Sequence, residues 1–372
     1  MKNPLSDALY KKRHIPKEYP IRGEYFRDQT AILHSMEFRR LKHKTQVFFS
    51  PENDHVCTRI EHVLHVATIA ASVCKGLNKY GWQLDAEMAF AIGLGHDLGH
   101  APFGHIGEES LCKALNIQNA FIHEIHSYKI AEHLAQDGNG LNLTYAVLDG
   151  IISHCGEHFE QSILPSAIQK NLDEINTRNS LPNTYEGCIM RFADKIAYLG
   201  RDLEDALIVD NFINLKDLPP RIAQKLGNKN GDIINHLVMD LIENSKYSNE
   251  IRLSDEVFNL MKELKNFNYK NIYNHPKMIE YGKFFKNIIK TLFEHFSELI
   301  LKYGKDFERY SALNLKVERS FGIYLEKMNN YYSKSGDKEN QIIVNFIAGM
   351  TDHYAIEAMK QITIPNPILF IK

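Results

Sequence analysis

The apolar run 89–94 passes without a break into Gly95-His96-Asp97-Leu98-Gly99-His100-Ala101-Pro102-Phe103-Gly104-His105-Ile106-Gly107-Glu108. A helix that is apolar all round must be enclosed by other elements. The run therefore predicts a buried helix, about 85–97, passing through a core. Where it ends, three imidazoles and two carboxylates fall within thirteen residues. Neighbouring His96 and Asp97 point about 100° apart on a helix, so both can ligate one ion only near the helix end. Gly95, Gly99 and Pro102 suit such an end, because they break the helix and let the backbone approach a ligand closely. The plainer reading is a helix followed by a polar loop, and the rest of the chain decides between the two.

Stretches rich in Val, Ile and Thr at period two are nearly absent, while helical periodicity recurs along the chain. The fold class is therefore all-α. Residues 1–28 read as an irregular arm, 29–210 as the core that carries the motifs, and 211–372 as a helical C-terminal region. Within the core, a first helix starts near Asp28 and a second covers about 58–77, with Arg59 and His62 three apart on one face. Further helices are expected from Gly107, over 124–136 and over 143–154. The polar stretch 161–183 reads as loops around a short helix. A long helix over 185–209 places Asp194, Tyr198 and Asp202, and more loosely Arg191 and Asp205, opposite an apolar face. Such a polar stripe usually faces solvent, but it could equally form the wall of a nucleoside pocket. Later helices are expected at 219–226, 230–246, 251–265, 277–304, 310–333 and 340–361. The apolar, Pro-broken end, 362–371, is expected to pack on the body or on a neighbouring subunit.

Composition narrows the function. The net charge of −2 over 372 residues gives no bulk basic field for non-specific nucleic-acid binding. The local cluster Arg39, Arg40, Lys42, His43 and Lys44 reads as a solvated face or as phosphate contacts for a neighbouring pocket. Five scattered cysteines without a C-x-x-C pair argue against a disulfide framework and for a reducing compartment. No apolar stretch suits a signal peptide or a membrane span, so no membrane partner is expected and the expected location is the cytoplasm.

His62, His96, Asp97 and Asp194 lie on three separate predicted helices. Two imidazoles and two carboxylates make a mixed N/O set suited to one divalent ion, Mn²⁺, Fe²⁺, Co²⁺, Ni²⁺ or Zn²⁺, with positions left for water and phosphate. Mg²⁺ is the alternative on the nucleotide phosphates. His100, His105, Glu108, His123 and Glu124 would supply proton transfer and charge stabilisation around it.

The order His…His-Asp…Asp resembles the HD-domain phosphohydrolases. Longer strings are similar to the dGTPase-type deoxynucleoside triphosphate triphosphohydrolases. These are Phe38-Arg39-Arg40-Leu41 with Lys44-Thr45-Gln46-Val47, Thr58-Arg59-Ile60-Glu61-His62, the stretch from Gly95 to Glu108, and Ala193-Asp194-Lys195-Ile196-Ala197-Tyr198 with Asp202-Leu203-Glu204-Asp205-Ala206. Ala348-Gly349-Met350-Thr351-Asp352-His353-Tyr354-Ala355 is a further, partial match, with His353 where the family more often has Arg. The resemblance implies hydrolysis of a dNTP to deoxynucleoside and inorganic triphosphate, with His62, His96, Asp97 and Asp194 as metal ligands. It places His100, His105, Glu108 and His123 around the α-phosphate, His105 being the acid for the O5′ leaving group. Arg59 and Lys195 would hold the triphosphate, and Gln46, Tyr198 and Asp202 would read the deoxyribose. Asp352 and Tyr354 join them as substrate-side candidates from the last string. Glu124 stands where many bacterial members have Asn, and Arg201 where some have His, which leaves base preference and regulation open. Residues 211–340 carry no matching string. A homo-oligomer (dimer, tetramer or hexamer) is expected, with a nucleotide effector or single-stranded nucleic acid as further candidate partners. Two other readings remain: an HD phosphohydrolase acting on other nucleotides, and a nucleotide-gated or single-strand-binding protein with little catalysis.

Overall fold

The computed structural model describes the chain apart from residues 18–20, 50–52, 54, 116–119, 157, 210–211 and 365–372. The longer helices of its first half are α1 (Glu24–Leu33), α2 (Arg59–Asn78), α3 (Ala86–Gly95), α4 (Gly104–Ala114), α5 (His123–Lys129), α6 (Tyr145–Ile152) and α7 (Tyr185–Ile208). The second half adds α8 (Asn230–Ser245), α9 (Asp255–Asn268), α10 (Pro276–Tyr303), α11 (Lys316–Ser335), α12 (Glu339–Ala348) and α13 (Asp352–Thr363). The fold is all-α as expected. One small sheet accompanies it, in which β1 (Ser162–Ile163) pairs antiparallel with β2 (Ile251–Arg252).

The apolar run forms the buried helix it predicts. Asp85 caps α3, its carboxylate accepting from the N–H groups of Glu87 and Met88. From Ala91 through His100 every residue is buried. α1, α2, α6 and α7 surround α3, so it has no polar face to turn to water. Asp85 is also where α7 meets the N-terminal segment: buried Glu186 accepts from the Asp85 N–H at 2.7 Å and from Asn3 Nδ2 at 2.7 Å.

Two large hydrophobic clusters divide the interior. The first is built on α2, α3, α6 and α7 and continues through α8 and α9 as far as Phe267. The second is built on α10 to α13 and takes in Ala101, Phe103, Leu111 and Phe121. Leu98 belongs to the first cluster, and Ala101 and Phe103 to the second. The stretch that carries the histidines is thus the place where the chain crosses from one cluster to the other.

Several boundaries differ from the expectations. The arm contains a helical turn, Asp7–Tyr10, and the buried Tyr10 hydroxyl donates to the Asn183 carbonyl at 2.9 Å. α1 begins at Glu24 and α4 at Gly104, each a few residues earlier than expected. The helix expected over 124–136 ends as a wider π turn, Ile130–Leu134, followed by left-handed Gln136 and Asp137. The helix expected over 340–361 is two helices, because Thr351 caps α13 by accepting from the Tyr354 N–H. The C-terminal residues 365–371, expected to pack on a surface, lie outside the described residues.

Candidate active site

The four candidate ligands arrive from three helix positions. Thr58 and Glu61 form a capping box that starts α2, so Arg59 and His62 occupy its first turn on one face. His96 is the C-cap of α3 and Asp97 follows it, while Asp194 comes from the middle of α7. His62 Nε2 lies 3.1 Å from Asp194 Oδ1, and His96 Nε2 lies 3.9 Å from the same oxygen and 3.6 Å from Asp97 Oδ2. Ligand atoms of His62, His96 and Asp194 fall within 4.8 Å of one another. Asp97 joins them 4.0 Å from His62 Nε2, and Arg59 donates to its carboxylate.

The fit to a metal ion rests on His96. Its Nδ1 lies 2.7 Å from the Gly93 carbonyl, which can only accept, so the proton sits on Nδ1. Its Nε2 is buried and has no hydrogen-bond partner among the described residues. A buried acceptor is costly to leave unmatched, and this one faces a neighbouring imidazole and two carboxylates. Burial keeps His96 in the neutral, ligating form by lowering its pKa. Burial alone would raise the Asp97 carboxyl, but His96 and the Arg59 guanidinium hold it well below its usual range. Asp194 is lowered as well, the hydrogen bond and charge of His62 overcoming burial. The neutral His96 ring and the His62 imidazole beside two ionised carboxylates are a coherent N/O donor set.

A second group of histidines stands next to the first. The backbone reaches it by a sharp turn in which Phe103 (φ 64°) and Gly104 (φ 63°) both adopt the left-handed region. For Phe103 that conformation is uncommon, and it is held by Asp352, whose Oδ1 accepts from the Phe103 N–H at 2.9 Å. α4 then presents His105 and, one turn on, Glu108. Gly99 is required for close approach, since a Cβ there would stand 2.2 Å from the Ser127 backbone nitrogen of α5. His100 stacks on His123 of α5 with centroids 4.7 Å apart, and His105 lies 5.4 Å from His100. Burial and then Arg59 push the His100 pKa well down, so that ring is neutral. His123 Nδ1 meets Glu108 Oε2 at 2.8 Å and Glu124 Oε2 at 3.3 Å. Against the opposing effect of burial, Glu124 and Glu108 raise His123 to about 9, and Glu108 itself falls to about 2.

Both groups border one cavity of about 330 Å³. Gln46, Arg59, His62, Asp97, His100, His105, His123, Asp194, Tyr198 and Asp202 line it, bringing most of the candidate residues together. The polar stripe of α7 is therefore not a solvent-facing one: Asp194, Asp202 and Asp205 are buried. Glu108 and Glu124 stand one layer back, behind His123. Lys195 is not brought to the cavity wall. It is buried, with Nζ 3.0 Å from the Arg191 carbonyl and 3.6 Å from Glu160 Oε2. Asp352 does not face the cavity either, because its carboxylate accepts the backbone N–H groups of Thr45 (2.8 Å) and Phe103. Tyr354 borders a separate groove of about 710 Å³ that also includes Arg40.

Other contributors come from residues outside the sequence motifs. His154 follows the end of α6, where its ring centroid lies 4.9 Å from that of His96, and burial and His96 lower it to about 4. Its place just after an apolar helix repeats the signal given by His96 and could have been read. Lys265 of α9, Tyr269 and Tyr273 of the segment that follows it, and Met278 of α10 complete the cavity wall. The Tyr273 hydroxyl lies 2.5 Å from Asp202 Oδ2 and donates to it, while burial raises the Asp202 carboxyl to about 7. Arg178, in the polar loop, pairs with Glu108 and Glu124. Nothing about a single Arg in such a stretch marks it.

An all-α core with this His and Asp cluster defines an HD-type phosphohydrolase. Residues 59–199 match the HD domain, and residues 251–361 match the phosphohydrolase-associated domain. The chain is 35% identical to the deoxyguanosinetriphosphate triphosphohydrolase-like protein of Caldanaerobacter subterraneus subsp. tengcongensis, over 93% of this chain and 87% of that protein. It is 33% identical to the protein of the same name from Desulfatibacillum aliphaticivorans (94% and 90% covered) and 32% identical to that of Rickettsia bellii (97% and 96%). The chain belongs to the dGTPase-like family of HD-domain phosphohydrolases. No helix among the described residues is long and apolar enough to cross a membrane.

Proposed function

We propose that this chain hydrolyses deoxynucleoside triphosphates to deoxynucleoside and inorganic triphosphate, using one divalent metal ion. The observation that carries the proposal is that α7 provides both a ligand candidate and a sugar-sized wall in one cavity. At 1.5 Å of rise per residue, Tyr198 and Asp202 lie about 6 and 12 Å along the helix from Asp194. A substrate with its α-phosphate among the histidines therefore runs its sugar along Tyr198 and Asp202, towards Tyr269 and Tyr273.

His62, His96, Asp97 and Asp194 would hold the ion. When bound, a divalent ion acidifies water and withdraws charge from phosphoryl oxygens, and Mn²⁺, Fe²⁺, Co²⁺, Ni²⁺ and Zn²⁺ all suit these donors. Arg59 offers a fixed positive charge at the cavity wall. His123, tied to two carboxylates through Nδ1, presents Nε2 as a donor to phosphate oxygens. In the reaction, water oxygen bonds to the α-phosphorus, the bond from phosphorus to O5′ breaks, and O5′ takes a proton. His105 is the acid for that proton: it lines the cavity on the exposed side, whereas His100 and His123 are buried.

Deoxyribose is preferred because a 2′-OH pressed on the Tyr198 ring loses hydration without gaining a partner, a cost of about 1–3 kcal/mol. Rates for matched dNTP and NTP pairs test this, with at least about fivefold discrimination expected in the wild type and less in Tyr198→Ala. Equal treatment of every pair by both proteins would remove the sugar-pocket assignment. A homo-oligomer, a nucleotide effector and single-stranded nucleic acid remain proposals for the partners.

A further inference from the structure

Behind His123 two buried carboxylates compete for one nitrogen. Glu108 Oε2 and Glu124 Oε2 lie 2.8 and 3.3 Å from His123 Nδ1. The side chains of Glu108 and Glu124 are nearly inaccessible. Two like charges that close in a buried setting repel, and ordinarily one would take up a proton. Arg178 resolves the conflict. Its Nε lies 3.0 and 3.2 Å from the two oxygens of Glu124, and its Nη2 donates to Glu108 Oε1. The arginine fork thus spans both carboxylates, taking the Glu108 oxygen that the imidazole leaves and both oxygens of Glu124, a geometry that a lysine ammonium does not reproduce.

The loop that brings Arg178 is itself held in place. Lys170 Nζ reaches Ser153 Oγ at 3.0 Å and Ser180 Oγ at 3.1 Å, and Arg191 Nη2 donates to the Ser180 carbonyl. The ligand atoms of His100, His105, Glu108 and His123 are close enough together to suggest a second metal site. The 2.8 Å separation of His123 from Glu108 is a hydrogen-bond distance, however, and Arg178 occupies the other Glu108 oxygen. Both Glu108 oxygens are thus taken up, one by His123 and the other by Arg178.

We propose that Arg178 is a positioning residue. It pairs Glu108 with Glu124 so that both address Nδ1 of His123, which fixes the ring with Nε2 towards the phosphate end of the cavity. Its activity readout rests on the triphosphohydrolase reading above, and its structural readout does not.

The structural test is the downfield proton resonance of the His123 Nδ1–H, assigned by its loss in His123→Ala. In Arg178→Met the resonance should vanish or move well upfield, and it should return in Arg178→Met/Glu124→Gln, where the excess charge leaves with its partner. An unchanged resonance in Arg178→Met overturns the proposal. In the activity test, Arg178→Met should lose about 10- to 100-fold in kcat, the scale usual for groups that orient a site residue, while KM stays within a few-fold. The double variant should recover most of the loss. A wild-type kcat in Arg178→Met, or a loss that the double variant does not relieve, contradicts the assignment. If Arg178→Met does not fold, Arg178→Lys serves, with an intermediate shift and an intermediate kcat expected and wild-type values for both overturning the proposal. Should the wild-type protein release no triphosphate, the functional reading fails, and the resonance comparison still decides the role of Arg178.

Discussion

At the scale of single residues, the site works by fixing which nitrogen of each imidazole is free. The Gly93 carbonyl takes the Nδ1 proton of His96, and two carboxylates take that of His123. One ring is left as a neutral candidate ligand and the other as a charged donor. These roles separate under mutation. Asp97→Ala should lose bound metal, which elemental analysis of the purified variant will register, and an undiminished metal content would contradict the ligand set. His105→Ala should keep its metal and lose about 10²- to 10⁴-fold in turnover, the usual contribution of a general acid. Near-native turnover would move the acid role to His100 or His123. The strings that carry His62, His96, Asp97 and Asp194 were legible because each joins metal-capable groups to a helix end or face at a fixed spacing. Arg178 and Tyr273 were not, since each reaches the site from a segment whose local pattern says nothing about chemistry.

At the scale of elements, helices were easier to find than their ends. α2 and α7 lie within a residue or two of their expected bounds because Thr58 and Thr184 cap them ahead of strong apolar stripes. The break between α12 and α13 was missed, because Gly349-Met350-Thr351 sits inside an unbroken helical period and only the Thr351 cap reveals the join. The start of α7 also carries a pH dependence. Glu186 is buried and accepts from the Asp85 N–H and from Asn3, and burial raises its pKa to about 7. A carboxyl raised on folding binds its proton more tightly in the native state. Its contribution is therefore fully present below about 4.5, its ordinary value, and is lost as the pH rises through 7. Between pH 5 and 8 the wild type should lose stability relative to Glu186→Gln, by at most on the order of 3 kcal/mol. Parallel plots of melting temperature against pH for the two proteins would show that Glu186 does not titrate in this way.

At the scale of the whole molecule, the stretch that carries the histidines is the seam between two hydrophobic clusters, and buried polar groups hold the seam. Lys44 Nζ donates to the carbonyls of His100 and Ala348, and Asp352 accepts from Thr45 and Phe103. Asp352→Ala would strand two backbone donors, each costing about 1–3 kcal/mol when buried. The variant should melt at a lower temperature and lose activity although Asp352 does not line the cavity, and unchanged stability would show that the seam does not depend on Asp352. The sequence foretold that the chain is helical and where its motifs lie. It did not reveal the seam, because pairing Phe103 with Asp352 is a long-range contact that no local period encodes. Cleavage at the α-phosphorus is the central step of the proposed reaction, and isotopic labelling tests it most directly. Purified protein with a divalent transition metal and mixed dNTPs in ¹⁸O-water should yield unphosphorylated deoxynucleoside and intact inorganic triphosphate, with the label in the triphosphate alone. Release of pyrophosphate or orthophosphate in its place, or label in the deoxynucleoside, would contradict the account.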